Sequence, residues 1–201
     1  FLPFIALLQG KVEVIRLDAR TDFRLEKLGG APTYHVPADA AARAALDTAF
    51  ARLSGVARGV PATIAIKGHE LRLPQAAAGV ARASFSDLCA QAYGASDYLA
   101  LAQDFHTLVL DDIPVMDMDR RNEAKRFIIL IDTLYESHVK LVASAAAEPT
   151  GLYVARSGRE AFEFDRTVSR LIEMRSEEYL ALPHGRADSA ASGETTGLVE
   201  T

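Results

Sequence analysis

Three clusters of charged side chains in this 201-residue chain have the spacing to do chemistry. Leu108-Val109-Leu110 is a β-rich apolar run that ends in Asp111-Asp112. Paired acids at such a strand end hold Mg²⁺ and orient water in phosphate-hydrolysing folds. The same pattern also reads as a solvated strand end turning into Pro114. Shortly downstream, Arg120, Arg121, Lys125 and Arg126 gather around the start of a helix. Cations there oppose the helix macrodipole. The cluster therefore fits contact with an anion such as a nucleotide phosphate, or a solvated basic turn paired with Asp117, Asp119 and Glu123. Arg166 and Arg170 form an i,i+4 pair of like charges on the final helix, with Arg175 beyond them. They read either as a second phosphate-facing row or as partners for Glu163, Glu173 and Glu177.

Other chemistries find no residue set. The histidines His35, His69, His106, His138 and His184 are scattered without metal-ligand spacing. The single Cys89 cannot form an internal disulfide and reads as a small buried apolar residue. There is no Gly-x-Ser-x-Gly elbow and no Gly-x-x-x-x-Gly-Lys-[Ser/Thr] loop. Without backbone N–H groups to cradle the β- and γ-phosphates, the chain alone is not expected to bind ATP tightly, and no catalytic residue is assigned. The net charge of −5 argues against a general nucleic-acid or membrane-surface binder. No apolar run reaches the ~18 residues of a membrane span, and no secretory segment is recognisable. A cytoplasmic location is expected.

These residues need elements to position them. Residues 1–9 read as a helix end with Gly10 as its cap, and 12–17 alternate as a strand. Residues 33–36 form a short strand, and a helix follows from about Asp39, with Ala41, Ala45, Leu46, Ala49 and Leu53 at helical spacing. Residues 63–66 and 70–73 form a hairpin, and 80–85 a third short strand of a small antiparallel unit that could pack on that helix. A helix capped at Ser96 precedes the strand ending at Asp111. A long helix over about 119–137 and a strand at 139–144 follow, so the two strands run parallel with a right-handed crossover. A short strand at 151–154 and a last helix over about 165–180 complete the pattern. Residues 183–201 lack periodicity and read as a disordered tail.

Several blocks in this order resemble the ZapE family of AAA+ ATPases: 1–5 (FLPFI), 12–24, 85–116, 121–145 and 162–180. The resemblance implies an α/β fold. Its parts are a partial P-loop-type parallel sheet, a helical lid and a small antiparallel β insertion. It divides the chain into the end of a nucleotide-binding core (1–30), a helix plus β module (31–88), a C-terminal αβ and lid region (89–182) and the tail (183–201). The opening apolar run has no initiator Met and no cap. Together with the resemblance it predicts the C-terminal part of a longer ATPase, with the phosphate loop upstream and no hydrolysis by this part alone. ATP and Mg²⁺ are implied for the full-length protein and no cofactor for this chain. The AKRFI stretch resembles a sensor helix that brings Arg126 to nucleotide, with Lys125 and Arg121 beside it and Arg24 and Arg170 as further nucleotide-proximal candidates. Implied partners are the upstream core, neighbouring subunits of a homo-oligomer, and division-machinery or membrane-associated proteins. The other reading is a non-catalytic interaction module in which residues 60–85 bind a protein partner.

Overall fold

The computed structural model describes residues 30–66, 68–155 and 159–185. The expectations for the helix at 1–9, the strand at 12–17, Arg24 and residues 186–201 fall outside them.

The chain is α/β, with one six-stranded sheet in the order β1-β6-β5-β4-β3-β2. β1 (Tyr34–His35) leads into α1 (Ala40–Ser54). Asp39 caps α1 by accepting the Ala42 N–H at 2.9 Å, and Gly55, at φ 79°, ends it. β2 (Val60–Ile66) and β3 (His69–Ala77) form the expected hairpin, and β3 continues antiparallel into β4 (Val80–Ser84). β4 then pairs in parallel with β5 (Thr107–Ile113), β5 with β6 (Lys140–Ala145), and β6 with β1. The antiparallel strands therefore extend the parallel sheet through β4. The β3–β4 turn needs left-handed backbone at Ala78 and Gly79, and a Cβ on Gly79 would lie 2.6 Å from the His106 ring.

The crossovers are helical. α2 (Phe85–Cys89) and α3 (Ala95–Asp104) join β4 to β5, and α4 (Arg121–Glu136) joins β5 to β6. A 3₁₀ turn at Pro149–Gly151 precedes α5 (Arg159–Glu173). The expected final helix is split: Ser176 accepts the Tyr179 N–H and starts a separate α6 (Glu177–Leu180). The strand read at 151–154 reduces to that 3₁₀ turn and a single bridge between Met116 and Tyr153. Gly94, not Ser96, stands before α3, and Asp97 accepts its N–H at 2.8 Å.

Strand alternation decides which face each helix covers. Leu108, Leu110, Leu141, Ala143, Ala81 and Ala83 pack against Phe127, Ile131 and Leu134 of α4 and against Leu101 of α3. Val80, Val109 and Val142 point the other way, into a smaller cluster with Leu46, Phe50 and Leu53 of α1 and Leu180 of α6. Among the described residues, α1 thus lies alone on its face, apart from α6 near the amino ends of the strands. No described helix is long and apolar enough to cross a membrane.

Candidate functional site

On the α1 face, three adjacent strands change from apolar to polar towards their carboxyl ends. β4 runs Val80, Arg82, Ser84; β5 runs Val109, Asp111; β6 runs Val142, Ser144. Ser84 and Asp111 are register partners. Helix α1 lies across this boundary, so Leu46 and Phe50 cover the valines while Arg43 and Asp47 meet the polar ends. The result is an open cleft of about 520 Å³ with Arg43, Asp47, Arg82, Ser84, Asp111 and Asp112 among its walls. In open α/β sheets, ligands bind in this kind of place, outside the carboxyl ends of parallel strands.

The two acids differ: Asp111 is held inside the cleft, while Asp112 is exposed and ion-paired. A register shift between Leu110 and Ile113 bulges β5 at the two aspartates, and Asp112 takes a left-handed φ of 60°. The Asp112 N–H donates to Ser144 Oγ at 2.9 Å, which fixes the bulge to β6. Asp112 is exposed and pairs at 3.4 Å with Arg43, itself largely exposed. Asp111 turns inward. Its two oxygens accept from Arg82 Nε at 2.8 Å and Nη2 at 3.0 Å, a bidentate fork. The remaining Arg82 Nη1 donates to Asp47 at 2.5 Å. Arg82 is 8% exposed. Burial works against its charged form, but the bonds to Asp111 and Asp47 outweigh it and raise its pKa. Ser84 and Asp87 close a capping box on α2, with Asp87 accepting the Ser84 N–H at 2.8 Å.

The basic candidates lie elsewhere. Arg126 donates from Nη1 to the Cys89 carbonyl at 3.1 Å, capping the C-terminal end of α2, where a cation is favourable. Lys125 is exposed. Arg121 pairs at 2.9 Å with the buried Glu160 at the start of α5. The Glu160 carboxyl is held below its ordinary pKa by its own backbone N–H and by Arg121. Arg170 lies 2.6 Å from Asp132, bonds Glu136 at 3.2 Å, and stacks its guanidinium 4.8 Å from the Tyr135 ring centre. Arg166 pairs with Asp132 as well, and Arg175 with Glu148 at 3.0 Å. The structure thus brings Arg166 and Arg170 together on Asp132 and places Arg121, Arg126 and Arg170 at three separate contacts.

The model of the AFG1-like ATPase family matches residues 1–183. The chain belongs to this family. The AFG1-like chain is 39% identical over 184 residues to the cell division protein ZapE of Escherichia coli (strain K12), covering 92% of the chain and 48% of that protein. It is 30% identical over 212 residues to lactation elevated protein 1 homolog B of Danio rerio, covering 89% of the chain and 42% of that protein. It thus spans about half the length of the curated relatives it matches. No solved structure matches it.

Family membership makes ATP and Mg²⁺ the group to test against this AFG1-like cleft, and the residues present do not fit it. Asp111 has both oxygens engaged by Arg82, Asp87 is engaged in its cap, and no group of three or more His, Cys, Asp or Glu suited to a metal occurs among the described residues. Sequence reasoning missed Arg82, Asp47 and Ser144. Arg82 had one available signal: it is a charge inside the alternating strand 80–85, on the same parity as the apolar Val80.

Proposed function

We propose that these residues form the C-terminal part of an ATP-hydrolysing AFG1-like ATPase and do not hydrolyse ATP by themselves. One observation carries the reading: the match to the family runs through 183 residues, 1–183, that contain no Gly-x-x-x-x-Gly-Lys-[Ser/Thr] loop. In the whole protein, ATP would bind to a phosphate loop supplied by other residues. This αβ body would then work as a non-hydrolysing part against that core or a neighbouring subunit. The role in the cell is proposed to follow that of the Escherichia coli relative, whose name is cell division protein ZapE, in the cytoplasm.

The test is an ATP-hydrolysis assay of the 201-residue chain beside a full-length version. Turnover by the short chain at the full-length rate would overturn the proposal. Within the full-length version, Arg121, Lys125, Arg126, Arg24 and Arg170 are the proposed nucleotide-proximal groups. Lys125 is exposed, whereas Arg121 would have to exchange the Glu160 carboxylate, and Arg126 the Cys89 carbonyl, for a phosphate. Arg126→Ala is expected to lower hydrolysis more than it lowers the unfolding midpoint, and normal hydrolysis would make Arg126 structural.

A second reading, a protein-interaction module, is favoured by β2. It is an outer strand of the described sheet and carries Val60 at 69% exposure. Deleting residues 60–85 would be a poor test, because that range contains the interior strand β4. Val60→Lys leaves the sheet in place, and undiminished partner capture by that variant would refute a role for this edge.

A further inference from the structure

β2 is an outer strand of the described sheet. Natural proteins guard such edges with charges, prolines or bulges, because unpaired N–H and C=O groups accept any strand offered to them. On β2 the guards stand at one end: Pro61, and a register shift between Val60 and Ala62. From Ala62 to Ile66 the strand carries no charge and no proline. Which of its backbone groups face outward follows from the hairpin. Two residues separate the register partners Ile66 and His69, so that pair bonds across the ladder and the pattern alternates from there. Ile66, Ile64 and Ala62 therefore turn their backbone groups to β3, while Thr63 and Ala65 turn theirs away from it. The residues opposite agree. Arg72, partner of Thr63, sends its N–H away from β2 to the Tyr93 hydroxyl at 3.2 Å. Glu70, partner of Ala65, accepts from the same hydroxyl at 3.4 Å through its carbonyl. Among the described residues, the outward N–H and C=O groups of Thr63 and Ala65 have no hydrogen-bond partner.

We infer that β2 pairs antiparallel with β2 of a second copy of this chain, about a two-fold axis at Ile64. This rests on the interaction reading of the edge given above and names its occupant. The strand itself selects the register. Setting Thr63 against Ala65 of the second copy, and Ala65 against its Thr63, uses every outward group. A slip that sets Thr63 against Thr63 brings Ala65 opposite Pro61 of the second copy, which has no N–H to give. A slip the other way sets Thr63 against the hairpin turn. The side chains suit the same register. Ile64, Ala62 and Ile66 lie on the face where α3 packs. There Ile64 meets its own counterpart, and each Ala62 lies beside an Ile66, small against large. On the other face each Thr63 lies beside an Ala65, both exposed in the single chain. No charged side chain falls within the paired residues 62–66. The contact is isologous and closes with two copies.

Analytical ultracentrifugation of the whole chain at low and high concentration is expected to show a monomer–dimer equilibrium. Hydrogen exchange at the Thr63 and Ala65 amides should slow as the dimer forms. Thr63→Pro removes an outward N–H and leaves the ladder to β3 intact. Two hydrogen bonds are lost per dimer, so dimerisation should weaken about tenfold or more. Ile64→Cys reads the register without relying on that variant. Across a non-hydrogen-bonded antiparallel pair the Cα atoms lie about 4.5 Å apart, within disulfide reach. Mild oxidation should therefore link Ile64→Cys into a covalent dimer and leave Thr63→Cys unlinked, and the native Cys89 is buried and does not compete. A chain that stays monomeric at high concentration overturns the inference. So does a dimer indifferent to Thr63→Pro and without the Ile64→Cys link, or protection of the two amides at every concentration. A monomer that still captures a different protein, and loses it in Val60→Lys, overturns the pairing of copies while the interaction reading stands, so the two fail separately.

Discussion

Asp111→Ala is the perturbation that most directly measures what the cleft is for. It removes the fork from Arg82, whose side chain is only 10% exposed, to a carboxylate that is 14% exposed. Removing one partner of a buried ion pair costs about 3–5 kcal/mol, because the other charge is left uncompensated. Asp47 reaches the same guanidinium with a side chain that is 61% exposed, and its bond survives the substitution. Partial neutralisation from the solvent side brings the expected loss down to about 2–3 kcal/mol. For a chain of this size that is roughly 4–12 °C in unfolding midpoint. Urea unfolding and calorimetry on Asp111→Ala, Arg82→Met and Arg82→Met/Asp111→Ala complete a double-mutant cycle. The double variant buries no unpaired charge, so it is expected to be more stable than Asp111→Ala alone. Strictly additive losses, or a loss under about 0.5 kcal/mol for Asp111→Ala, would refute the view that this pair is a built structural unit.

Lys140→Met should destabilise the chain by about 2 kcal/mol and selectively expose α6 to hydrogen exchange. The buried ammonium donates to the Tyr179 and Leu182 carbonyls at 3.0 and 2.7 Å and lies 5.0 Å from the Tyr179 ring centre. Cys89 should resist iodoacetamide in the native state up to alkaline pH and react once urea is added, since burial pushes its thiol up and away from the thiolate. Comparison with Glu160→Gln across pH should show a stability difference that is constant above the ordinary carboxylate range, about pH 4.3, and shrinks below it. The sign follows from the depressed folded pKa: the contribution is present above the unfolded value and is lost as pH falls through the folded one. A difference that grows in acid would reverse that assignment.

How much of this was legible depends on the range of the interaction. β5 and α4 stand out because their apolar periods, Leu108-Val109-Leu110 and Ala124-Phe127-Ile128-Ile131-Leu134, are local and uninterrupted. The end of α5 was misread because the apolar period runs on through Met174 to Tyr179, while Ser176 breaks the helix between them by capping the next one. The partner of Asp111 was invisible for a different reason. Arg82 lies 29 positions away, and only the parallel pairing of β4 with β5 brings the two together. An acid pair written in sequence looks the same whether its counter-charge is a metal or an arginine. Likewise, nothing local in the basic run 120–126 tells that Arg126 reaches the end of α2 while Arg121 reaches the start of α5.

The field of the cleft leads to the same view of it by a route independent of hydrogen-bond geometry. Its walls carry Arg43, Arg58 and Arg82 against Asp47, Asp87, Asp111 and Asp112, so acids outnumber bases by one. A triphosphate with one Mg²⁺ remains an anion, and a cleft that recruits anions concentrates positive charge instead. Arg82, the buried one of the cleft's three arginines, is screened on both sides by carboxylates within 3.0 Å. The exposed Arg43 has Asp112 opposite it. Reversing this balance would take more than removing one acid, because Asp111 and Arg82 are coupled: deleting the carboxylate frees a cation but also destabilises the strand end that presents it. Charge neutrality of the cleft and structural stability of the strand end therefore depend on the same pair.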